Sequence, residues 1–215
     1  MSDCRSVLIA ACILGYVDGV PAQHATSDWL IVPGERVGSI TAATSEATLI
    51  TLFGAENVEP VDVYLGEGFT EPGAAVYPSD PTQRVEVVWR DDAHTGPKEV
   101  RLTGESSKWK TAEGISLGST LQEIERLNGS PFRLAGFAFD YGGTITDCGA
   151  GRLSILGCVN RSQARLVVLR LSPSGEARSR PDYRQVLGDR DFSSGHPAMQ
   201  VLNPSVYQMI VSLSQ

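Results

Sequence analysis

The sequence predicts an α+β fold made of two similar half-domains, each with a helix packed on an antiparallel sheet. Two segments share one pattern of cap, apolar and glycine positions, and short strand-like segments follow each of them. In addition, 41% of the 215 residues are hydrophobic and 20% are charged, which is enough apolar chain for a buried core. This composition excludes a disordered chain and a collagen-like repeat.

The repeated pattern occupies residues 39–54 and 114–129, which are offset by 114 − 39 = 75 positions. Ile40 aligns with Ile115, Leu49 with Ile124, and Gly54 with Gly129. Matching apolar positions give both copies the same buried face. We therefore expect each copy to form a short extended entry followed by one helix.

The second copy carries the stronger helix signals. Thr120 with Glu123, or Ser119 with Gln122, forms the pattern of a capping box. Gly129 and the proline two residues later are typical of a helix end. The predicted buried face consists of Leu121, Ile124 and Leu127.

The first copy repeats this design in a simpler form. Thr44 or Ser45 caps the helix, Glu46 lies in its first turn, and Gly54 ends it. A carboxylate is favourable in the first turn because the helix dipole is positive there.

Strands are predicted after both helices, in segments separated by Gly, Pro or Asp. The first set is 61–65, 74–77, 84–89 and 99–102, and the second is 132–139, 143–146, 152–156 and 164–171. The last segment, 203–211, suits either a helix beginning at Pro204 or a strand, and we favour a helix or a mixed element. The predicted domains are the first repeat at 23–107, the second at 108–172, and a terminal region at 173–215.

The first 22 residues have the layout of a secretory signal peptide. Arg5 precedes an apolar run at 7–17, and Val20-Pro21-Ala22 provides small residues for cleavage. The run is shorter than the roughly 20 residues of a membrane-spanning helix. We therefore expect an exported protein, periplasmic or extracellular. The alternatives are lipid attachment at Cys12 and a buried amino-terminal helix.

Cleavage after Ala22 would leave Cys148 and Cys158 as the cysteines of the mature chain. An even pair in an exported protein predicts one disulfide, with free thiols or an intermolecular bond as alternatives. The pair is too small a ligand set for a zinc site, because no histidine lies close by to complete it.

The second copy resembles a known repeat. Its pattern Ile115-x-x-Gly118-x-Thr120-x-x-Glu123-Ile124-x-x-Leu127-x-Gly129-x-Pro131 is similar to that of the small outer-membrane assembly lipoproteins and of the tandem β-lactamase-inhibitor proteins. The resemblance implies a helix lying on an antiparallel sheet. It also implies an envelope or secreted protein that binds other macromolecules without a catalytic centre.

Charge and motifs exclude several functions. The formal net charge is −7 and the pI is about 5.0, so the chain lacks the basic surface of a nucleic-acid-binding protein. The Gly-rich segments near 142 and 150 open no predicted helix, which argues against phosphate loops and dinucleotide sites. We expect no cofactor and no metal.

The loop containing Asp189, Asp191 and His196 is the densest group of polar residues. These side chains could act in acid-base chemistry or bind calcium, whereas the simpler interpretation is a surface loop held by hydrogen bonds. A serine hydrolase is disfavoured, because the sequence contains no Gly-x-Ser-x-Gly motif.

Aromatic residues beside polar groups are the better candidates for binding. Trp109 lies between two lysines, and Asp140-Tyr141 follows an apolar run. Such aromatics anchor many interfaces, although both could instead cover the edge of the core. We predict partner contacts at Trp109, Asp140, Tyr141, Asp191 and His196.

The leading functional hypothesis is an exported, non-enzymatic binding or assembly module that recognises a protein or another macromolecule through an exposed sheet surface. An enzyme would require the Asp189, Asp191 and His196 loop to meet Asp140 and Tyr141 in one cleft. A structural subunit of a surface assembly is the third hypothesis.

Overall fold

The computed structural model describes residues 28–156 and 166–213 of the chain. The strands are β1 (Leu30–Val32), β2 (Arg36–Val37), β3 (Ile40–Thr41), β4 (Val58–Gly66), β5 (Phe69–Val76), β6 (Val85–Trp89), β7 (Pro97–Thr103), β8 (Lys110–Thr111), β9 (Arg133–Ala135), β10 (Ile145–Asp147), β11 (Val167–Ser172), β12 (Asp191–Ser193) and β13 (Ser205–Ser212). The α-helices are α1 (Glu46–Phe53), α2 (Leu121–Asn128), α3 (Gly175–Arg178) and α4 (Pro197–Leu202). Short 3₁₀ helices occupy Ala55–Asn57, Arg152–Leu156 and Pro181–Val186.

An antiparallel six-stranded sheet forms the centre of the fold, in the order β11-β13-β7-β6-β5-β4. The last strand, β13, lies between β11 and β7 and is buried along most of its length. The outer strand β11 alternates buried and half-buried residues instead. The two strands differ because β13 is an inner strand with both faces covered, whereas β11 is at the edge of the sheet.

The β4–β5 hairpin is the longest pair of the sheet, and a two-residue turn closes it. Glu67 and Gly68 both have positive φ, of 53° and 81°, between the paired residues Gly66 and Phe69. Turns with two positive φ values match the twist of a hairpin, which explains the glycine here. Along the sheet edge, Pro60 lacks an N–H group and so weakens pairing with another strand.

The far end of this hairpin lies over the second face of the sheet. Nη1 of Arg101 in β7 donates to the Tyr64 carbonyl oxygen at 2.8 Å, and Nε of Arg101 pairs with the Glu99 carboxylate at 2.6 Å. Val63 and Val88 are fully buried on this side. The hairpin thus helps to bury this face of the sheet, including Arg101, which is paired with Glu99.

Both predicted helices are present. Ser45 caps α1 by accepting from the Thr48 amide, and Gly54 follows its last residue. Thr120 and Glu123 form the complete capping box of α2, and Gly129 ends that helix in the left-handed conformation. Leu49 in α1 and Leu121 and Ile124 in α2 are buried, as the repeat pattern predicts.

Two smaller sheets flank the central one. β3-β2-β1-β8 includes a parallel β1–β8 pair, and β10-β9-β12 is antiparallel. Apolar side chains from all three sheets and from α1, α2 and α4 form one continuous core.

The strands predicted after the first helix are confirmed, whereas those after the second are confirmed only in part, as the shorter β9, β10 and β11. β4 to β7 form the expected antiparallel series. Residues Arg152–Leu156 form a 3₁₀ helix instead of a strand, and β11 joins the central sheet beside β13. The predicted terminal helix is also wrong, because Ser205–Ser212 is a strand. The fold is α+β, and two similar half-domains are not evident in residues 28–156 and 166–213.

Trp109 is a core residue and not the exposed anchor that its flanking lysines suggest. It is 1% exposed, and its Nε1 donates to the Gln83 carbonyl oxygen at 2.7 Å. The ring packs edge-on against Trp29 with a centroid distance of 4.7 Å. Its burial leaves no surface for a partner, so the alternative role in the core applies.

The predicted disulfide and leader fall partly or wholly outside the described residues. Cys148 is buried beside the α2 end, but Cys158 lies in the segment 157–165, which is not described. Residues 1–22, including Cys12, are likewise outside the described part of the chain. The disulfide and the signal peptide therefore stay predictions.

Candidate binding surface

Residues 136–143, which connect β9 to β10, form the 136–143 loop. Gly143 packs directly on β11: its carbonyl oxygen accepts from the Leu171 amide at 2.9 Å, and a Cβ atom at Gly143 would lie 1.8 Å from the Leu171 carbonyl oxygen. Its φ is also positive, at 74°. Only glycine fits this contact, so the loop is closely attached to the central sheet.

The middle of the loop contains a strained residue. Ala138 has a φ of 68°, which a residue with a Cβ rarely adopts. The neighbouring Phe137 is held on both sides, because its amide donates to the Val186 carbonyl oxygen and its own carbonyl oxygen accepts from the Gly188 amide, both at 2.9 Å. These bonds impose the strained conformation at the point where the loop meets a cavity.

On the outer side of the loop, Tyr141 lies over the β4–β5 hairpin. Its ring is 3.6 Å from the position that a Cβ of Gly66 would occupy, and the Arg170 guanidinium lies 5.1 Å from the ring centroid. Partial removal from water and the nearby Glu67 carboxylate raise the pKa of Tyr141 above its usual value.

Tyr64, Phe69 and Tyr141 together form what we name the hairpin patch. Their exposed fractions are 57%, 67% and 41%. Phe69 pairs with Gly66, over which Tyr141 lies, and the Tyr64 hydroxyl oxygen lies 3.4 Å from the Gly68 amide nitrogen. All three aromatic side chains therefore surround the same hairpin end.

Arg170 stabilises the edge of this patch. Its Nη1 donates to Oε1 of Gln208 at 2.9 Å, which holds the guanidinium beside Tyr141. Its Nε is buried and makes no hydrogen bond to any of the described residues. A β-bulge lies between Arg170, which contacts Tyr141, and Leu171, which lines the cavity described next.

The inner side of the loop borders a cavity of about 740 Å³, which we name the loop cavity. Its aromatic walls come from Phe137, Phe139, Tyr183 and Tyr207. Its polar lining includes Ser172, Ser174, Ser205, Glu105 and Arg178. Phe137 and Tyr183 stack with their centroids 5.9 Å apart. The 136–143 loop thus contributes Tyr141 to the exposed aromatic patch and Phe137 and Phe139 to the cavity.

Asp191 and His196 serve local structure. Oδ2 of Asp191 lies 3.7 Å from Nε of Arg133, and Nδ1 of His196 accepts from the Ala198 amide at 3.1 Å, which caps α4. The His196 ring also contacts Phe192 edge-on. Both side chains therefore have structural partners within their own region.

The arrangement required by the enzymatic hypothesis does not occur in the loop cavity. Asp189, Asp191 and His196 do not line it, and neither do Asp140 and Tyr141. Asp140 is exposed next to Tyr141, on the side of the hairpin patch. The structure therefore groups Asp140 and Tyr141 with the hairpin and leaves the Asp189 loop elsewhere.

Sequence reasoning identified Tyr141 but missed Tyr64, Phe69 and Arg170. A usable signal was present, because Glu67-Gly68 has the pattern of a tight turn between two aromatic residues. The position of Arg170 had no such local signal. It depends on the pairing of β11 with β13 and with residue 144.

Two general features complete the description. Within residues 28–156 and 166–213, no group of three or more His, Cys, Asp or Glu side chains is arranged to hold a metal ion. None of the helices in the same ranges is both long enough and apolar enough to span a bilayer.

Comparisons of this chain with protein-family models, with curated proteins and with solved structures give no match.

Proposed function

We propose that the protein is an exported, non-enzymatic binding module that recognises a protein partner through the hairpin patch. One observation carries the proposal: three of the five large hydrophobic residues that are exposed in the described part of the chain surround a single hairpin end. The proposal includes Asp140 at the edge of the contact.

The chemistry of the patch suits a protein partner. Aromatic residues and arginine are enriched among the residues that dominate binding energy, because they bury a large area with few rotatable bonds. The Tyr141 ring already packs against Arg170 and Gly66, so little conformational entropy would be lost on binding. Phe69 extends furthest into solvent and would bury the largest new apolar area.

Export is the second part of the proposal, and the arrangement of Arg5, the apolar run at 7–17 and the small residues ending at Ala22 supports it. Amino-terminal sequencing of the protein from the producing cell tests it. A mature chain beginning near residue 23 is expected. A lipidated chain beginning at Cys12 would replace cleavage by anchoring, and a chain beginning at Met1 would contradict export.

We also infer that residues 39–54 and 114–129 descend from one duplicated helix unit, each once part of a similar half-domain. Their matching caps, buried faces and glycine ends support this origin. The resemblance of residues 115–131 to assembly lipoproteins and β-lactamase-inhibitor proteins agrees with a binding role.

Site-specific photo-crosslinking tests the partner surface. A photoreactive phenylalanine analogue placed at residue 69 or 141 should give a discrete crosslinked product with a second protein in the native compartment. The analogue at Ile50 or Val201 is the matched control, because these residues are 39% and 48% exposed but lie on α1 and α4. Equal products at all four positions, or none at 69 and 141, would contradict the proposal.

Substitution provides an independent test. Phe69→Ser and Tyr141→Ser should each reduce recovery of the crosslinked partner at least about tenfold, as expected for residues central to an interface. Val201→Ser should leave recovery unchanged. Circular dichroism of each variant shows whether the fold is retained, so that a loss of binding can be assigned to the surface.

A further inference from the structure

We propose that the loop cavity is a second binding site, which accepts a ligand carrying one carboxylate next to an aromatic or apolar group. This site is distinct from the hairpin patch, because none of Tyr64, Phe69 and Tyr141 lines the cavity. The proposal rests on the hydrogen bonds that hold Arg178, on the charges of the cavity lining and on its aromatic walls.

Arg178 is the cation of the cavity lining, and its side chain is held in place. Its Nε donates to the Pro173 carbonyl oxygen at 3.1 Å, and its Nη2 donates to Oγ of Ser172 at 2.5 Å. Both acceptors are cavity residues that precede α3. A fixed guanidinium loses less entropy than a mobile one when it binds a ligand.

The charge of Arg178 has no carboxylate partner in the described part of the chain. In residues 28–156 and 166–213, no carboxylate lies within ion-pair distance of its guanidinium, and its protein partners are a carbonyl and a hydroxyl oxygen. A guanidinium has five N–H donors, of which these two bonds use two. The remaining donors match the two oxygens of a carboxylate.

The other ionisable groups of the lining limit the ligand to a single negative charge. Glu105 lies in the same cavity and would repel a second charge. A monocarboxylate uses Arg178, the one cation that the described residues contribute to this lining, whereas the second charge of a phosphate dianion would find no further cation there and would be repelled by Glu105. This balance favours a monocarboxylate over a phosphate.

The walls of the cavity suit an apolar or aromatic group. Phe137 and Tyr183 stack at an interplanar angle of 24°, and Phe139, Leu171 and Val206 add apolar surface. Its volume lies within the range of about 300 to 1,000 Å³ that is typical of small-ligand sites. The strained Ala138 lies in the wall, as strained residues often do at binding sites.

A carboxylate next to an aromatic group occurs both in free aromatic acids and in the last residue of a peptide. The test uses N-acetyl-phenylalanine and a pentapeptide ending in phenylalanine, each with a free carboxylate and as the amide. Binding to the full protein is followed by titration calorimetry and by chemical-shift changes of cavity residues. The two free acids separate the sources, since the one with the lower Kd identifies the natural ligand type.

The expected result is that at least one free acid binds and shifts the resonances of Phe137 and Tyr183, while its amide binds about tenfold more weakly, as for loss of a charge-assisted hydrogen bond. Arg178→Gln should weaken binding of the acid by a similar factor and leave the amide unchanged. Arg180→Gln is the matched control, because Arg180 lies two residues away, pairs with Asp182 and does not line the cavity.

Three results would overturn the proposal: equal affinity for acid and amide, equal effects of Arg178→Gln and Arg180→Gln, or no binding by any of the four probes. Failure of the hairpin-patch crosslinking would not produce any of these results. The two proposals can therefore fail separately.

Discussion

Ser194 uses its hydroxyl group to connect three parts of the chain. The side chain is fully buried, accepts from the Phe132 amide at 2.9 Å and donates to the Glu125 carboxylate of α2. Ser194→Ala would leave the buried Phe132 amide without a partner. We expect a loss of about 1 to 3 kcal/mol in the free energy of unfolding, measured by urea denaturation.

The adjacent residue provides the control. Ser193 is exposed, and its hydroxyl oxygen accepts from the Gly195 amide at the surface. Ser193→Ala should change the free energy of unfolding by less than about 0.5 kcal/mol. Similar losses for the two serines would contradict the role assigned to Ser194.

Gly143 determines how the 136–143 loop packs. Gly143→Ala would place a Cβ atom 1.8 Å from the Leu171 carbonyl oxygen, so loop or strand must move. We expect a loss of more than about 3 kcal/mol in the free energy of unfolding. Gly149→Ala separates clash from backbone strain, because Gly149 also has a positive φ, of 56°, but open space around it. Gly149→Ala should lower the free energy of unfolding by only about 1 kcal/mol. Equal losses in the two variants would show that the contact between Gly143 and Leu171 is unimportant.

Asp80 makes stability depend on pH. Hydrogen bonds from Thr82 and then from Gln83 hold the pKa of its carboxyl group below the usual value. Because the folded pKa lies below the unfolded value of about 3.9, the ionised carboxylate stabilises the fold above that pH. This contribution is lost as the pH falls through the folded pKa.

Asp80→Asn tests this dependence through urea midpoints measured from neutral pH down to acidic pH. The variant should be less stable than the wild type at neutral pH, and the difference should shrink below about pH 4. A difference that stays constant over the whole range would contradict the contribution of the charge.

At the scale of secondary structure, α2 depends on its capping box. The Thr120 hydroxyl oxygen accepts from the Glu123 amide at 3.3 Å, and the Glu123 carboxylate accepts from the Thr120 amide at 2.8 Å. Thr120→Ala should lower the free energy of unfolding by about 1 kcal/mol. Thr120→Ser keeps the hydroxyl group and should remain close to the wild type, so an equal loss in both variants would exclude capping as the cause.

Local signals explain which elements could be predicted from the sequence. In each of the helices α1 and α2, the capping residue and the terminal glycine lie within ten residues of each other along the chain. Both helices form as predicted. β13 depends on β7, where Gln208 pairs with Thr103, 105 residues earlier. Tertiary pairing of this kind overrides the helix pattern of Asn203-Pro204 and has no signal in the terminal segment itself.

The same reasoning applies to the candidate surface. Tyr141 was identified because it follows an apolar run and lies beside Asp140. Phe69 is brought near Tyr141 by tertiary structure, because its pairing partner Gly66 lies against the Tyr141 ring. Trp109 was assigned wrongly, because the flanking lysines indicated exposure, whereas the strand β8 turns the tryptophan into the core.

At the scale of the whole molecule, the central sheet joins all three regions that were predicted as separate domains. Residues 23–107 supply β4 to β7, residues 108–172 supply β11, and residues 173–215 supply β13. A sheet shared in this way should unfold as one unit. In the full chain, tryptophan fluorescence and far-ultraviolet circular dichroism should therefore give the same urea transition, although Trp29, Trp89 and Trp109 all lie before residue 110.

The fragment 23–107 provides the contrasting measurement. Without β13, the edge of β7 is unpaired and the buried side of β6 and β7 loses part of its cover. The fragment should show no cooperative transition. A cooperative transition with native-like near-ultraviolet circular dichroism would instead support an independent first domain.

The central position of β13 has a consequence for how the chain is made. A ribosome makes residues 205–212 after both strands that flank them, so β7 and β11 lack their shared partner until that segment has emerged. The nascent chain cannot complete its main sheet before then, and pairing between such distant segments is slow. Such a delay would keep the chain open to chaperones and, if it is exported, competent for translocation before it folds.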